Sequence, residues 1–132
     1  GRRHGEDWLQ KSIVQARAGE RLLVFGDGQQ SRDFTYVDDM VAAFLCMGAH
    51  PDALGRVVHF GSGKATSIAA LAEAVASAVG GEVRIESAPA RAAEVAQLCC
   101  DAARAASLLG WTPQISLSEG LVRNVAWMRE RA

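Results

Sequence analysis

A lone arginine, Arg32, stands between a Gly26-Asp27-Gly28 turn and the alternating run Phe34-Thr35-Tyr36-Val37, with the carboxylates Asp38 and Asp39 directly after. Guanidinium is a planar fork of donors, charged at every working pH, and its geometry matches two phosphate oxygens at once. Where a turn, a strand and a helix start converge, such a side chain can reach into a cleft as a phosphate ligand. In any other setting it is an ordinary surface residue. A second stretch, Gly61-Ser62-Gly63-Lys64, imitates a phosphate loop but fails its spacing. That loop needs G-x-x-x-x-G-K-[ST]; here Val58 stands five before Gly63, and Ala65 follows Lys64. The dinucleotide fingerprint G-x-G-x-x-G fails too, because Gly26 and Gly28 lead to Ser31, and Gly61 and Gly63 lead to Thr66. Both glycine stretches therefore read as chain turns. Three histidines (His4, His50, His59) are scattered singly and three cysteines include the adjacent pair Cys99-Cys100, with no C-x-x-C spacing. No zinc site or disulfide framework is expected, and a reducing cytoplasm is the default location.

The elements that must position Arg32 follow from the hydrophobic rhythm, which switches repeatedly between the helical and the extended period. The spacing predicts a helix over 6–18, a strand over 21–25, a short strand over 34–37, and a helix capped by Asp38 or Asp39 that stops near Gly48. It predicts a strand over 56–60, then a long helix capped by Thr66 or Ser67 and ended by Gly80-Gly81. Candidate strands over 83–86 and 95–99 flank a Pro89-Ala90-Arg91 loop. A short helix runs from Asp101 to Gly110, and a last helix opens with a capping box of Ser116 and Glu119. The fold class is a small mixed α/β domain. With 132 residues the expectation is one domain, and 49% hydrophobic against 22% charged residues is an ordinary globular balance. A net charge of −1, from 14 basic and 15 acidic side chains, argues against a nucleic-acid or anionic-membrane surface. No apolar run approaches the roughly 18 residues that span a bilayer. The opening GRRHGEDW has no initiator Met and no apolar stretch behind its arginines, so an excised or processed chain without a signal peptide is expected.

Taken in order, these pieces resemble a known family. GDGQQSRDFTYVDD is similar to the G-D-G-x-Q-x-R-D-F-x-Y-V-x-D signature of extended short-chain dehydrogenase/reductases of the NAD-dependent epimerase/dehydratase group. Val58-His59-Phe60-Gly61-Ser62-Gly63 with Thr66-Ser67-Ile68 and Leu71-Ala72 resembles that group's strand, N-x-G-S-G turn and S-I-x-x-L-A helix. Ala88-Pro89-Ala90-Arg91-Ala92-Ala93-Glu94-Val95 resembles its A-P-A-R-P-G-E-V loop. Cys100-Asp101, Arg104-Ala105 and Leu109-Gly110-Trp111-Thr112-Pro113 resemble its A-D-x-x-K-A…L-G-W-x-P. The closing Glu119-Gly120-Leu121 and Val125-Ala126-Trp127 resemble its last helix. The match runs through nearly the whole chain, and its closing region is most like UDP-glucose 4-epimerase-type members.

The resemblance implies that Arg32 and Arg91 bind the diphosphate of a nucleotide-sugar, most like a UDP-sugar, and that Glu94 holds the ribose hydroxyls. Phe25 falls at the family's aromatic position near the base and is equally readable as a core phenylalanine. Two positions depart from the pattern: Ala92-Ala93 replaces the usual Pro-Gly, and His59 stands where asparagine is usual. The family's acid/base pair is Tyr-x-x-x-Lys, but the single tyrosine, Tyr36, is followed four residues on by Met40. The implied whole is therefore residues 1–132 as a substrate-binding C-terminal domain, not catalytic alone, with 38–61 completing the cofactor domain of an intact NAD-dependent enzyme. Its implied partners are the missing N-terminal Rossmann half and further copies of itself, because Val41, Phe44, Val57 and Phe60 would lack part of their cover. The rival reading is a stand-alone, non-catalytic nucleotide- or protein-binding module derived from such an enzyme.

Overall fold

The computed structural model describes residues 4–92 and 96–131. In chain order these form α1 (His4–Arg17), β1 (Leu22–Phe25), β2 (Ser31–Arg32), α2 (Val37–Ala49), a 3-10 turn (Pro51–Ala53), β3 (Thr66–Ser67), α3 (Ile68–Val79), β4 (Ile85–Ala88), α4 (Ala103–Leu109) and α5 (Leu117–Glu130). The contacts group into two compact units. One comprises Gly1–Gln30, Ser67–Ala96 and Leu121–Ala132; the other comprises Ser31–Thr66 and Gln97–Gly120.

The first unit is built on a parallel pair, β1 with β4, in register from Leu22 opposite Ile85 to Phe25 opposite Ala88. A parallel pair cannot be joined by a tight hairpin, so the chain returns through a helical crossover, α3. Ser67 starts that helix, its hydroxyl accepting from the Ala70 amide at 3.1 Å, as a serine cap should. Leu71, Ala72 and Val75 then fall on one buried stripe, packed with α1 and β1. From α1, Ile13 and Ala16 are buried with them, and the Trp8 indole donates to the Leu23 carbonyl at 3.1 Å. The Arg129 guanidinium donates to the Val79 carbonyl at 2.8 Å, where orphan carbonyls of α3 need a donor.

In the second unit Ala43, Ala53, Ala105, Leu109 and Trp111 form the buried cluster, with Cys46, Met47, Val58 and Phe60 packed against it. The expectations fail here in several places. Residues 34–37 are not a strand: α2 begins at Val37 with Tyr36 as its N-cap, and only Ser31–Arg32 is paired as β2, with β3. Neither Asp38 nor Asp39 caps α2; both lie in its first turn. Residues 56–60 form no strand, since no neighbouring strand among the described residues completes a ladder with them. The Val57 carbonyl accepts instead from the Arg104 guanidinium at 3.1 Å. Of the expected 95–99 strand, Val95 lies outside the described residues, and Gln97 forms a single parallel bridge to Ser31.

The Gly26-Asp27-Gly28 turn is the tightest joint of the first unit. Gly28 has φ +69°, and a Cβ there would stand 2.6 Å from Val24 Cγ1 and 2.9 Å from Ala69 Cβ. Both the backbone angle and the close approach of β1 to the start of α3 require glycine. Gly28→Ala is expected to lower the unfolding free energy by about 1–3 kcal/mol, read as a reduced urea midpoint. An unchanged midpoint would contradict this packing.

Candidate functional site

Arg32 is half-buried, and its Nη1 donates to the Ser31 carbonyl at 2.7 Å. Its neighbour Asp33 organises the loops around it. One carboxylate oxygen of Asp33 accepts from the Ser62 amide at 2.9 Å and from the Ser62 hydroxyl. The other accepts from the Gly63 amide at 3.0 Å and the Cys100 amide at 3.1 Å, with the Cys99 thiol 3.9 Å away. Three chain segments, at 33, 62–63 and 99–100, thus meet on one side chain. Gly61 permits the meeting: a Cβ there would strike the Cys100 side chain and come within 2.9 Å of Asp33 Oδ2. Partial burial disfavours the Asp33 charge, but the bonds from Ser62, Cys100 and Gly63 outweigh it and hold the carboxyl below its ordinary range. The Cys100 thiol is pushed up, first by burial and then by Asp33, Cys99 and Asp101, which keeps it protonated and a poor nucleophile.

Arg91 and Phe25 belong to the first unit, and the structure brings them together. The Arg91 guanidinium carbon lies 3.8 Å from the centroid of the Phe25 ring. Phe25 is half-buried at the end of β1 and Arg91 is exposed three residues past β4. Phe25 is therefore no fully buried core residue; one face of its ring carries a cation. Glu94 lies outside the described residues.

Sequence reasoning missed the role of two acids. Asp33 was readable only as part of the R-D-F run. Asp39, 5% exposed, accepts from the Gln114 and Ile115 amides at 3.0 and 2.9 Å, while its carbonyl accepts from the Trp111 indole at 3.1 Å. Trp111 in turn meets Phe60 edge-to-face at 5.0 Å. An open cleft of about 490 Å³ lies in this unit, lined by Ser62, Gly63, Cys100, Ala106, Trp111 and Pro113 among others; neither Arg32 nor Arg91 lines it. The space beside Gly28 is filled by Val24 and Ala69, and that beside Gly61 by Cys100 and Asp33.

Comparison with known proteins identifies the lineage. A family model for GDP-mannose 4,6 dehydratase matches residues 1–124. The chain belongs to this family of NAD-dependent epimerases and dehydratases. It is similar to the UDP-glucose 4-epimerase of Mycolicibacterium smegmatis, 36% identical over 130 residues, which are 98% of this chain and 41% of that protein. Among solved structures, an epimerase of Methanothermobacter thermautotrophicus matches with a TM-score of 0.86 at 28% identity, over 93% of this chain and 37% of that one. The UDP-glucuronic acid 4-epimerase of Bacillus cereus, solved with UDP-glucuronic acid and NAD, matches with a TM-score of 0.84 at 26% identity, over 94% of this chain and 40% of that one. This chain thus spans about two fifths of the family members it matches and corresponds to their C-terminal part. The family read from the R-D-F run is the one matched, and the fold is that of a C-terminal portion of an extended short-chain dehydrogenase/reductase.

The Asp33 junction makes a pH prediction. Its carboxyl titrates lower in the folded chain than in the unfolded one, so it contributes stability above the unfolded value of about 4. That stability is lost as pH falls through the folded value. Asp33→Asn should destabilise the chain by about 1–3 kcal/mol at neutral pH and flatten the loss of stability below about pH 5. Urea melts across pH 3–7, read against roughly these limits, check this; parallel curves for both chains would contradict it.

Proposed function

We propose that this chain is the nucleotide-sugar-binding, C-terminal part of an NAD-dependent sugar epimerase or dehydratase, most like a UDP-glucose 4-epimerase. In this reading Arg32 and Arg91 hold the diphosphate, and Glu94 holds the ribose. The observation that carries it is the arginine pair set in the family's own motifs: Arg32 beside the Asp33 junction, and Arg91 displayed on the Phe25 ring. Two arginine forks suit a diphosphate, which offers oxygens for bidentate bonds. Firm anchoring there leaves the sugar free to present either face to a catalytic half without dissociating. Hydride chemistry belongs to the intact enzyme, since no Tyr-x-x-x-Lys pair stands in this sequence.

The same reading assigns 38–61 to the cofactor domain of the intact enzyme. Helix α2 is apolar on both sides: Ala43, Cys46 and Met47 face its own core, while Val37, Val41, Phe44 and Leu45 are exposed. Phe44 is 73% exposed, Leu54 89% and Val57 72%. An apolar face of this kind calls for a covering surface. In the intact enzyme that surface is the sheet of the cofactor domain, with the unpaired 56–60 segment as an added strand; in the isolated chain it is a second copy.

Calorimetric titration tests the binding. UDP-glucose and UDP should give saturable heat and uridine little. Arg32→Ala and Arg91→Ala should each weaken UDP about tenfold or more, the scale of a lost charge-assisted pair. No saturable binding of UDP would count against the reading. Sedimentation velocity tests the face: the chain should dimerise with rising concentration, and Phe44→Glu should leave it monomeric. A parent chain that stays monomeric would refute the second-copy assignment.

A further inference from the structure

We propose that Phe25 is a positioning residue for Arg91, a cation–π shelf that holds the guanidinium ready for a diphosphate; this rests on Arg91 being a diphosphate ligand. At 3.8 Å from the centroid, the guanidinium carbon sits against the ring face, well inside the ~6 Å range of the interaction. Stacking engages only the faces of the guanidinium. Its five N–H donors lie in its plane, so the shelf fixes the fork without consuming any donor. The shelf itself is anchored. Phe25 is opposite Ala88 in the parallel pair, and the Gly26 amide donates to the Ala88 carbonyl at 2.8 Å. Gly26, at φ +65°, lies so close to the Arg91 loop that a Cβ would stand 3.3 Å from Ala90 Cβ. The end of β1 and the start of that loop are thus held against each other. The ring therefore gives the Arg91 side chain a fixed face to rest on. It also follows that the ring face under Arg91 is not available to a base.

The test uses UDP and inorganic pyrophosphate as probes on the parent chain, Phe25→Leu, Phe25→Trp, Arg91→Ala and the Phe25→Leu/Arg91→Ala double variant. A shelf predicts that Phe25→Leu weakens both probes equally, by about two- to fivefold, that Phe25→Trp restores binding, and that Phe25→Leu adds nothing once Arg91 is gone. It also predicts an upfield ring-current shift of the Arg91 Nε–H proton in the NMR spectrum without ligand, lost in Phe25→Leu and kept in Phe25→Trp. A loss confined to UDP that persists in the Arg91→Ala background would overturn the shelf and make the ring a base contact. So would an Arg91 proton unmoved by Phe25→Leu. Failure of the parent chain to bind either probe would overturn the diphosphate reading and the shelf's purpose with it. Binding of both probes unaffected by Phe25→Leu would overturn the shelf alone.

Discussion

One carboxylate organises the second unit. Asp33 collects the Ser62 amide and hydroxyl, the Gly63 amide and the Cys100 amide, joining segments 29 and 67 residues away in sequence. Backbone amides in loops have no ladder to satisfy them, so a charged acceptor that takes several at once both neutralises their demand and fixes the loop path. Arg32 inherits its place from this junction because it is the adjacent residue. Asp39 does a parallel service further on, tying the start of α2 to residues 111–115. Two acids six residues apart in the sequence are thus, in the fold, polar joints of this unit.

The unit is also unfinished on one side. A helix with apolar residues on its outer face, followed by a segment without a ladder, has spent its inner face on its own core and left the other bare. The comparisons place this in context: the chain spans about two fifths of the relatives it matches. A face that is a liability in isolation becomes the natural seam of a larger enzyme in the proposed reading, and the nucleotide-binding arginines then lie in the same polypeptide that completes the cofactor domain.

Much of this was legible in the sequence, for identifiable reasons. Helices α1, α3 and α5 carry complete local signals: a periodic apolar stripe, Ser67 and Ser116 as caps, and Gly80 as a stop. The parallel strands β1 and β4 are short apolar or alternating runs bounded by glycine and proline turns. What failed was non-local. The 56–60 run has strand chemistry, but a strand exists only with a partner, and none is supplied among the described residues. Residues 34–37 alternate as a strand does, yet the chain turns helical at Val37, and the two carboxylates expected to cap α2 lie inside its first turn, Asp39 committed to residues 75 and 76 positions away. The site divides in the same way. Arg32 and Arg91 enter the proposed site from motif alone, whereas the stacking of Arg91 on Phe25 and the convergence of three segments on Asp33 depend on tertiary neighbours that no local pattern encodes.

The most direct measurement is an NMR titration of the chain with UDP, following arginine Nε–H and tryptophan indole signals together. The account predicts saturable shifts of Arg32 and Arg91, with the Trp111 indole, whose side chain lines the open cleft, unmoved. Shifts centred on Trp111 with both arginines silent, or no shifts at all, would contradict it.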